Sequence, residues 1–207
     1  MILWTIQPLA VYNLLQTTGV YRCDPSLAFM RDYPLQYRWL CDQMSKRIGP
    51  PPGGVIYPVW AWYQWEPKRK RPDLRNERWG NGIRGDRFVR MKIDVPDDEV
   101  LLSDFDSWSI ILLNGLISAT EAEYDRLQAV CDALPTEEDQ WAMRSRNWER
   151  VFDLSPLDDE WCTRGNCIQA TFWELRKEQV KRVTHFVSAV DPKRFSSPEN
   201  DNLTSSC

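Results

Sequence analysis

The sequence predicts an α+β fold, in which a mixed or mostly antiparallel sheet of about six strands packs against four or five helices. Segments with strand-like alternation and segments with helical periodicity form separate runs along the 207 residues, which is typical of α+β proteins. Hydrophobic residues make up 43% of the chain, enough for one buried core. We therefore expect a single globular domain over residues 1–189 and a disordered polar tail over residues 190–207.

The first elements begin and end at residues with strong backbone preferences. Met1–Gln7 has the composition of a short strand, and Pro8 follows where a helix can start without a backbone N–H. Gly19 suits the left-handed position that ends many helices. Asp24 and Pro25 match an N-cap followed by a first helical residue, so we expect a second helix to start there.

A tryptophan-rich strand is predicted after a helix over Tyr33–Ile48 and a connection rich in Pro and Gly. Residues 59–65 alternate so that Trp60, Trp62 and Gln64 share one face, and both faces are apolar. Such a strand is expected in the middle of a sheet. Its tryptophans are either core residues or, in a second interpretation, Trp62 or Gln64 lines a ligand cleft at the strand's end.

An amphipathic strand and a capped helix are predicted next. In Phe88–Val95 the apolar side chains at odd positions point one way and the mostly polar ones at even positions point the other. Val100–Leu102 is predicted as a further short strand. Asp106 or Ser107 is then expected to cap a helix over Trp108–Leu116.

The second half of the chain is predicted to hold two helices and then two strands. Two acidic amphipathic helices are expected over about 120–134 and 136–152, each capped by the threonine at its start. Strands are expected over 168–175 and 180–187, separated by a turn.

Charge is distributed unevenly, although the whole chain carries only −4. Residues 68–92 contain ten Lys or Arg and three carboxylates, a net charge of +7, whereas residues 94–160 carry a net charge of −14. Most of the cations fall in residues 66–86, which Pro and Gly mark as a long loop. This loop is either a local anion site or a solvated segment that pairs with the acidic helices.

The sequence argues against several classes of site. One histidine, His185, and six scattered cysteines form neither a metal-binding pattern nor a disulfide framework. Asp104 and Asp106 could bind a metal or act in acid–base chemistry, but with serines beside them they more often cap a turn. No uncharged apolar stretch reaches the roughly 20 residues that span a bilayer, and no signal-peptide pattern is present. We therefore expect a cytoplasmic protein without a membrane partner.

The loop cations offer the most specific chemistry in the sequence. Arg71 and Arg75, with the neighbouring Lys68 and Lys70, could bind phosphates, because planar guanidinium groups form paired hydrogen bonds to phosphate oxygens. An exposed tryptophan beside them could stack on a base. These features suit a nucleotide cofactor or a nucleic-acid strand, and a protein partner is a further alternative.

Several segments resemble an uncharacterised bacterial domain of unknown function. The similarity covers nearly all of the predicted globular part, and its motifs are specific. No activity is established for that family, so the resemblance supplies no reaction. The segments that carry it are Met1–Asp24, Arg47–Pro51, Tyr57–Trp65, Lys70–Arg75, Val95–Asp106 and Gln169–Phe186.

A weaker resemblance is to bacterial ADP-ribosyltransferase-like toxins, which hold NAD in a cleft between two small sheets. The order of a strand, a Gly-terminated helix and an extended segment with Arg22 is similar to their start, and Ile168–Glu174 is similar to the strand that carries their catalytic acid. Thr5 or Gln7 stands where they have a first-strand histidine. Glu174 is the carboxylate nearest to the expected place of the acid.

The toxin resemblance implies NAD as the cofactor, a macromolecular acceptor and a set of site residues. Gln169 and Glu174 would face the reacting sugar as catalytic residues. Trp62 and Tyr63 would stack on a ring of the cofactor. The alternative function is a non-enzymatic nucleic-acid-binding module that uses the basic loop and the tryptophans. The implied cofactor-binding residues are Thr5, Gln7, Arg22, Trp62, Tyr63, Gln64, Arg71 and Arg75.

Overall fold

The computed structural model describes residues 1–25, 32–68, 70–77, 82, 84–158 and 160–190, without the side chains of Asn76, Glu77 and Asp158. Within that part the chain forms a single α+β domain, as the sequence predicts. The residues predicted to continue a helix after Pro25 and the predicted tail, apart from Val190, lie outside the described residues.

Most strands and helices occur in the order that the periodicity predicts, but the strand predicted over 168–175 is divided into two, and the short strands at Leu157–Asp158 and Thr163–Arg164 are not predicted. Short 3-10 turns lie at Asp97–Glu99, Trp148–Phe152 and Lys177–Gln179. The strands are β1 (Ile2–Pro8), β2 (Val20–Tyr21), β3 (Val59–Gln64), β4 (Arg87–Asp94), β5 (Leu101–Asp104), β6 (Leu157–Asp158), β7 (Thr163–Arg164), β8 (Ile168–Phe172), β9 (Leu175–Arg176) and β10 (Val180–Val187). The helices are α1 (Leu9–Thr18), α2 (Pro34–Ile48), α3 (Leu74–Glu77), α4 (Phe105–Leu112), α5 (Glu121–Asp132) and α6 (Glu137–Asn147).

Six strands form one sheet in the order β10-β4-β1-β3-β8-β5, and every neighbouring pair is antiparallel. The tryptophan-rich strand β3 lies inside this sheet, between β1 and β8, which confirms the prediction of a central strand. Strand β2 pairs with β9, and β6 pairs with β7, as separate two-stranded ribbons. Strands β5 and β10 are therefore the two edges of the main sheet.

The back face of the sheet carries one hydrophobic core. Val89, Met91 and Ile93 of β4 are fully buried there, as the alternation in this strand predicts. They belong to one cluster with Leu3 of β1 and Leu15 of α1. Helix α1 therefore packs on the back face, over β1 and β4.

The front face is covered over half of its width. Over β3, β8 and β5, Trp60 and Leu101 pack in a second core with Tyr37 of α2, Trp108 of α4 and Trp148 of the following 3-10 turn. Over β1, β4 and β10, none of the front-facing residues that the structure describes is buried. We call this second region the accessible half of the front face.

The local signals that end and cap the helices are confirmed at three positions. Gly19 ends α1 with a φ of 80° and donates its N–H to the carbonyl of Leu15. The side chains of Thr120 and Thr136 accept hydrogen bonds from the backbone N–H three residues later, as N-caps do.

The start of α4 differs from the prediction. The helix expected over Trp108–Leu116 begins three residues earlier, and its cap is Asp104 and not Asp106 or Ser107. The carboxylate of Asp104 accepts hydrogen bonds from Ser107 N and Gly165 N, both at 2.8 Å. The second donor lies 61 residues further along the chain, so the sequence around the helix does not indicate which acid is the cap.

Glu123 of α5 is expected to stabilise the fold in a pH-dependent way. Hydrogen bonds from Arg150 and from Ala119 N lower the pKa of Glu123 below its ordinary value of 4.5. The unfolded chain therefore binds the proton more tightly, so the stabilisation is present above pH 4.5 and is lost as the pH falls through the folded-state pKa. We expect Glu123→Gln to lower the free energy of unfolding by about 1–2 kcal/mol at pH 7.

Urea unfolding at pH 7 and at successively lower pH values below 4.5 checks this prediction. Glu121→Gln, in the same first helical turn but exposed, is the matched control and is expected to change little. A Glu123→Gln penalty that stays constant with pH would contradict the assignment.

Candidate functional site

Two cations of like charge lie directly opposite each other on the accessible half of the front face. Lys92 of β4 and Arg182 of β10 are cross-strand partners. On its other side, Lys92 pairs with Trp4 of β1. Like charges in this position destabilise a sheet by about 0.2–1 kcal/mol relative to neutral pairs. The fold therefore holds this pair of cations at a cost in stability.

Two more arginines surround this pair and form a groove. A cavity of about 170 Å³ is lined by Trp4, Lys92 and Arg182 together with Arg71, Arg90 and Thr184. We call it the basic groove. No salt bridge or hydrogen bond joins the side chains of Arg71, Lys92 or Arg182 to any residue that the structure describes. Three cations from three separate segments, without a carboxylate partner in the described chain, therefore converge beside one tryptophan.

The basic groove continues under the loop that follows β3. A second cavity of about 450 Å³ shares Arg71 and Arg90 with it and is lined further by Asp73 and Arg75. Arg90 Nη1 donates to the carbonyl of Pro72 at 2.6 Å, which ties the loop to β4. Short helix α3 lies in this segment, which the sequence predicts as loop throughout. The cations therefore extend along the sheet over the length of both cavities.

Asp73 reduces the positive charge of this second cavity, which we call the outer cavity. Its carboxylate forms a salt bridge with Arg75 at 2.5 Å and accepts further hydrogen bonds from Arg75 Nε and the Arg75 backbone N–H. Arg75 is therefore largely neutralised, whereas Arg71 is not. The basic groove is therefore more electropositive than the second cavity.

Of the residues predicted as site residues, Arg71 and Arg75 line these cavities. Trp62 is the cross-strand partner of Trp4 and lies on the same face, one strand further from the cations. Its ring packs against Trp65 at a centroid distance of 4.6 Å and against Phe105 at 5.3 Å. The aromatic side chain that lines the groove together with the arginines is therefore Trp4.

Gln169 in β8 and Gln64 at the end of β3 both lie outside the groove. Gln64 Nε2 donates to the carbonyls of Gly165 and Asn166, both at 3.1 Å, and so holds the segment before β8. Gln169 is the cross-strand partner of Trp62, and its buried Oε1 has no hydrogen-bond partner within the described chain.

Three predicted residues belong to the back face. Thr5 Oγ1 donates to the carbonyl of Trp60 at 2.8 Å, and Gln7 Nε2 donates to Thr5 Oγ1 at 2.9 Å. Tyr63 packs with the back-face core, and the ammonium of Lys70 lies 4.9 Å from its ring centre. These residues are separated by the sheet from Trp62 and Arg71.

Arg22 and Glu174 form an ion pair. Arg22 Nη2 lies 3.1 Å from a carboxylate oxygen of Glu174, and Arg176 Nη1 lies 3.8 Å from the other oxygen. Arg22 and Gln7 also line a separate cavity of about 330 Å³. The predicted set is therefore dispersed: Arg71 and Arg75 line the groove cavities, Thr5, Gln7 and Tyr63 lie on the back face, and Arg22 and Glu174 lie beside the separate β2–β9 ribbon.

Trp4, Arg90, Lys92, Arg182 and Thr184 are groove residues that sequence analysis did not single out. The sequence partly indicates Arg90 and Lys92, because both lie at the polar positions of an amphipathic strand. Nothing in the sequence indicates that Arg182, 90 positions later, pairs with Lys92.

The other titratable groups form no second reactive cluster among the residues that the structure describes. In that part of the chain, no group of three His, Cys, Asp or Glu could hold a metal ion. The carboxylate of Asp106 accepts a hydrogen bond from Thr163 Oγ1 at 2.9 Å. His185 is exposed, with its ring edge-on to Tyr12 at 6.1 Å. None of the described helices has the length and apolar character needed to cross a membrane.

Comparison with known protein families identifies the family of this chain. A family model described as "Domain of unknown function (DUF3841)" matches residues 2–181. The chain belongs to this family. The DUF3841 match confirms the resemblance to a domain of unknown function and includes every groove residue up to Lys92, while Arg182 lies one position beyond it. No curated protein and no solved structure matches the chain. The basic groove is therefore the feature of this DUF3841 domain that indicates a function.

Proposed function

We propose that this domain binds single-stranded nucleic acid in the basic groove. Arg71, Lys92 and Arg182 contact backbone phosphates, and Trp4 stacks on a base. The observation that carries the proposal is the Lys92–Arg182 pair, which is directly opposed across two strands and lacks a carboxylate partner in the described chain. A phosphate between the two side chains turns their repulsion into two favourable contacts.

The shape of the site favours a strand over a mononucleotide. The basic groove and the outer cavity share Arg71 and Arg90, so the cations extend over a longer surface than one phosphate group covers. A half-buried tryptophan on a sheet surface gives a flat platform for an unstacked base, which a duplex does not offer. The net charge of −4 keeps binding local to this groove.

Salt dependence tests the proposal. We expect the domain to bind a labelled oligothymidine of ~15 nucleotides, with an affinity that falls steeply as salt rises. Three or four phosphate contacts give a slope of about −2 to −3 in a plot of log affinity against log salt concentration. Trp4→Leu should weaken binding by about tenfold without changing that slope, since stacking releases no counterions. A flat salt dependence, or no binding at low salt, would refute the proposal.

A second candidate function, NAD binding of the ADP-ribosyltransferase type, has a narrower basis. Gln7 and Arg22 line one cavity, and Arg22 contacts Glu174. The residues implied for NAD as a whole do not fit one dinucleotide site, because Thr5 and Gln7 lie on the back face while Trp62 and Arg71 lie on the front face. Of the implied residues, the group around Gln7, Arg22 and Glu174 could bind part of such a cofactor.

Thermal unfolding with added NAD tests this second candidate. A ligand that binds the folded state raises the melting temperature as its concentration exceeds its dissociation constant. We expect any such shift to disappear in Arg22→Gln and to persist in Arg71→Gln. An unchanged melting temperature at millimolar NAD would remove the candidate.

A further inference from the structure

A separate cavity of about 440 Å³ lies at the opposite end of the sheet from the basic groove. Helices α4 and α5 and residues 161–163 surround it, near edge strand β5. Its volume is within the range of small-molecule sites, which is roughly 300–1,000 Å³. The apolar part of its lining comes from Ile110, Leu113, Leu116, Tyr124 and Trp161.

The aromatic wall of this cavity is fixed in position although it is open to solvent. Trp161 is 42% exposed and Leu113 is 81% exposed. The indole N–H of Trp161 donates to Ser118 Oγ at 3.0 Å, and its ring packs against Tyr124 at a centroid distance of 5.7 Å. The two aromatic side chains are therefore already ordered, so a ligand binds without the entropic cost of ordering them.

The charge of the cavity is negative. Asp106 is the charged side chain among its described lining residues. Within the described chain its carboxylate accepts one hydrogen bond, from Thr163 Oγ1, and has no cation within ion-pair distance. Burial raises the pKa of the adjacent Cys162 thiol; Arg164 opposes this shift and Asp104 and Asp106 add to it, so the thiol stays neutral at pH 7.

We propose that this cavity binds a small organic cation with an apolar or aromatic body. The ammonium group pairs with Asp106, and the body packs against Trp161, Tyr124 and Ile110. Aromatic faces and a carboxylate both favour a cation over a neutral or anionic ligand of the same shape. This site is distinct from the basic groove in residues, in charge and in position, and it is independent of nucleic-acid binding.

A pair of probes that differ in charge tests the proposal. Phenethylamine is cationic at pH 7, whereas phenethyl alcohol has the same body and is neutral. We expect calorimetry or NMR titration to show that the amine binds at least tenfold more tightly than the alcohol. Asp106→Asn should remove this preference and leave the weak affinity for the alcohol unchanged. Trp161→Ala should weaken both probes.

Asp125→Asn is the matched control, because it removes one negative charge from exposed helix α5 without altering the cavity lining. It should keep the preference for the amine. Equal binding of the two probes, no binding of the amine at about ten millimolar, or an Asp106→Asn variant that still prefers the amine would overturn the proposal. Circular dichroism on each variant confirms that the fold is intact.

Discussion

The double variant Lys92→Gln/Arg182→Gln is expected to bind oligothymidine about a hundredfold more weakly than the native domain. Each side chain makes one charge-assisted contact to phosphate in the proposed complex, and such contacts contribute about 1.5 kcal/mol each at low salt. Losing both should also reduce the slope of log affinity against log salt by about 1.4. Fluorescence anisotropy titrations at several salt concentrations measure both quantities.

The same double variant is expected to be more stable than the native domain. The two cations oppose each other across β4 and β10, so removing both charges relieves a repulsion of about 0.2–1 kcal/mol. For a domain of this size, that corresponds to a rise of about 1–3 °C in the melting temperature. Weaker binding together with higher thermal stability is a combination that mere damage to the fold does not produce.

Lys46→Gln/Arg126→Gln is the matched control. It makes the same change in net charge at two exposed helical positions away from the groove. We expect it to change the affinity by less than about threefold. Equal losses of affinity in the two double variants would show that binding depends on total charge and not on the groove.

Trp148→Ala is expected to cause the largest loss of stability, about 3–5 kcal/mol in the free energy of unfolding. The side chain is completely buried in the core that covers half of the front face. Its ring meets Trp39 at 5.5 Å and Trp141 at 5.1 Å, both edge to face, and its indole N–H donates to the carbonyl of Gly115. Alanine leaves a cavity and an unsatisfied carbonyl.

Two further variants separate these contributions in urea unfolding. Trp148→Phe keeps much of the buried area but loses the hydrogen bond to Gly115, so we expect a loss of about 2 kcal/mol. Val130→Ala, at a position that is 56% exposed on α5, should change stability by less than about 0.5 kcal/mol. A Trp148→Ala variant with nearly native stability would mean that this core does not hold the domain together.

Predictions that depend on neighbouring residues succeeded. The alternation in β4 identifies its buried face, and Gly19, Thr120 and Thr136 mark helix ends correctly, because backbone preference and capping act within a few residues. The predicted cap of α4 is wrong because Asp104 also accepts a hydrogen bond from Gly165 N, which is distant in sequence.

The candidate site could be predicted only in part. The sequence predicts that Arg71 and Arg75 contact an anion, and both line the outer cavity beside the basic groove. The sequence predicts the aromatic partner on β3, whereas Trp4 of β1 lines the groove with the cations, because strand order is set by long-range pairing. Alternation alone already places consecutive residues such as Trp62 and Tyr63 on opposite faces of a sheet, so a single ligand cannot contact both across it.

Arg182 lies on the outermost strand of the sheet, and this has a consequence for dynamics. Among the described strands β10 pairs with β4 alone, so we expect its backbone amides to exchange with solvent more readily than those of the inner strands. A ligand that bridges Arg182 and Lys92 stabilises only the conformation in which β10 is paired. Oligonucleotide should therefore slow deuterium uptake along Val180–Val187 more than elsewhere in the sheet, and fraying of that strand would release the ligand well before global unfolding.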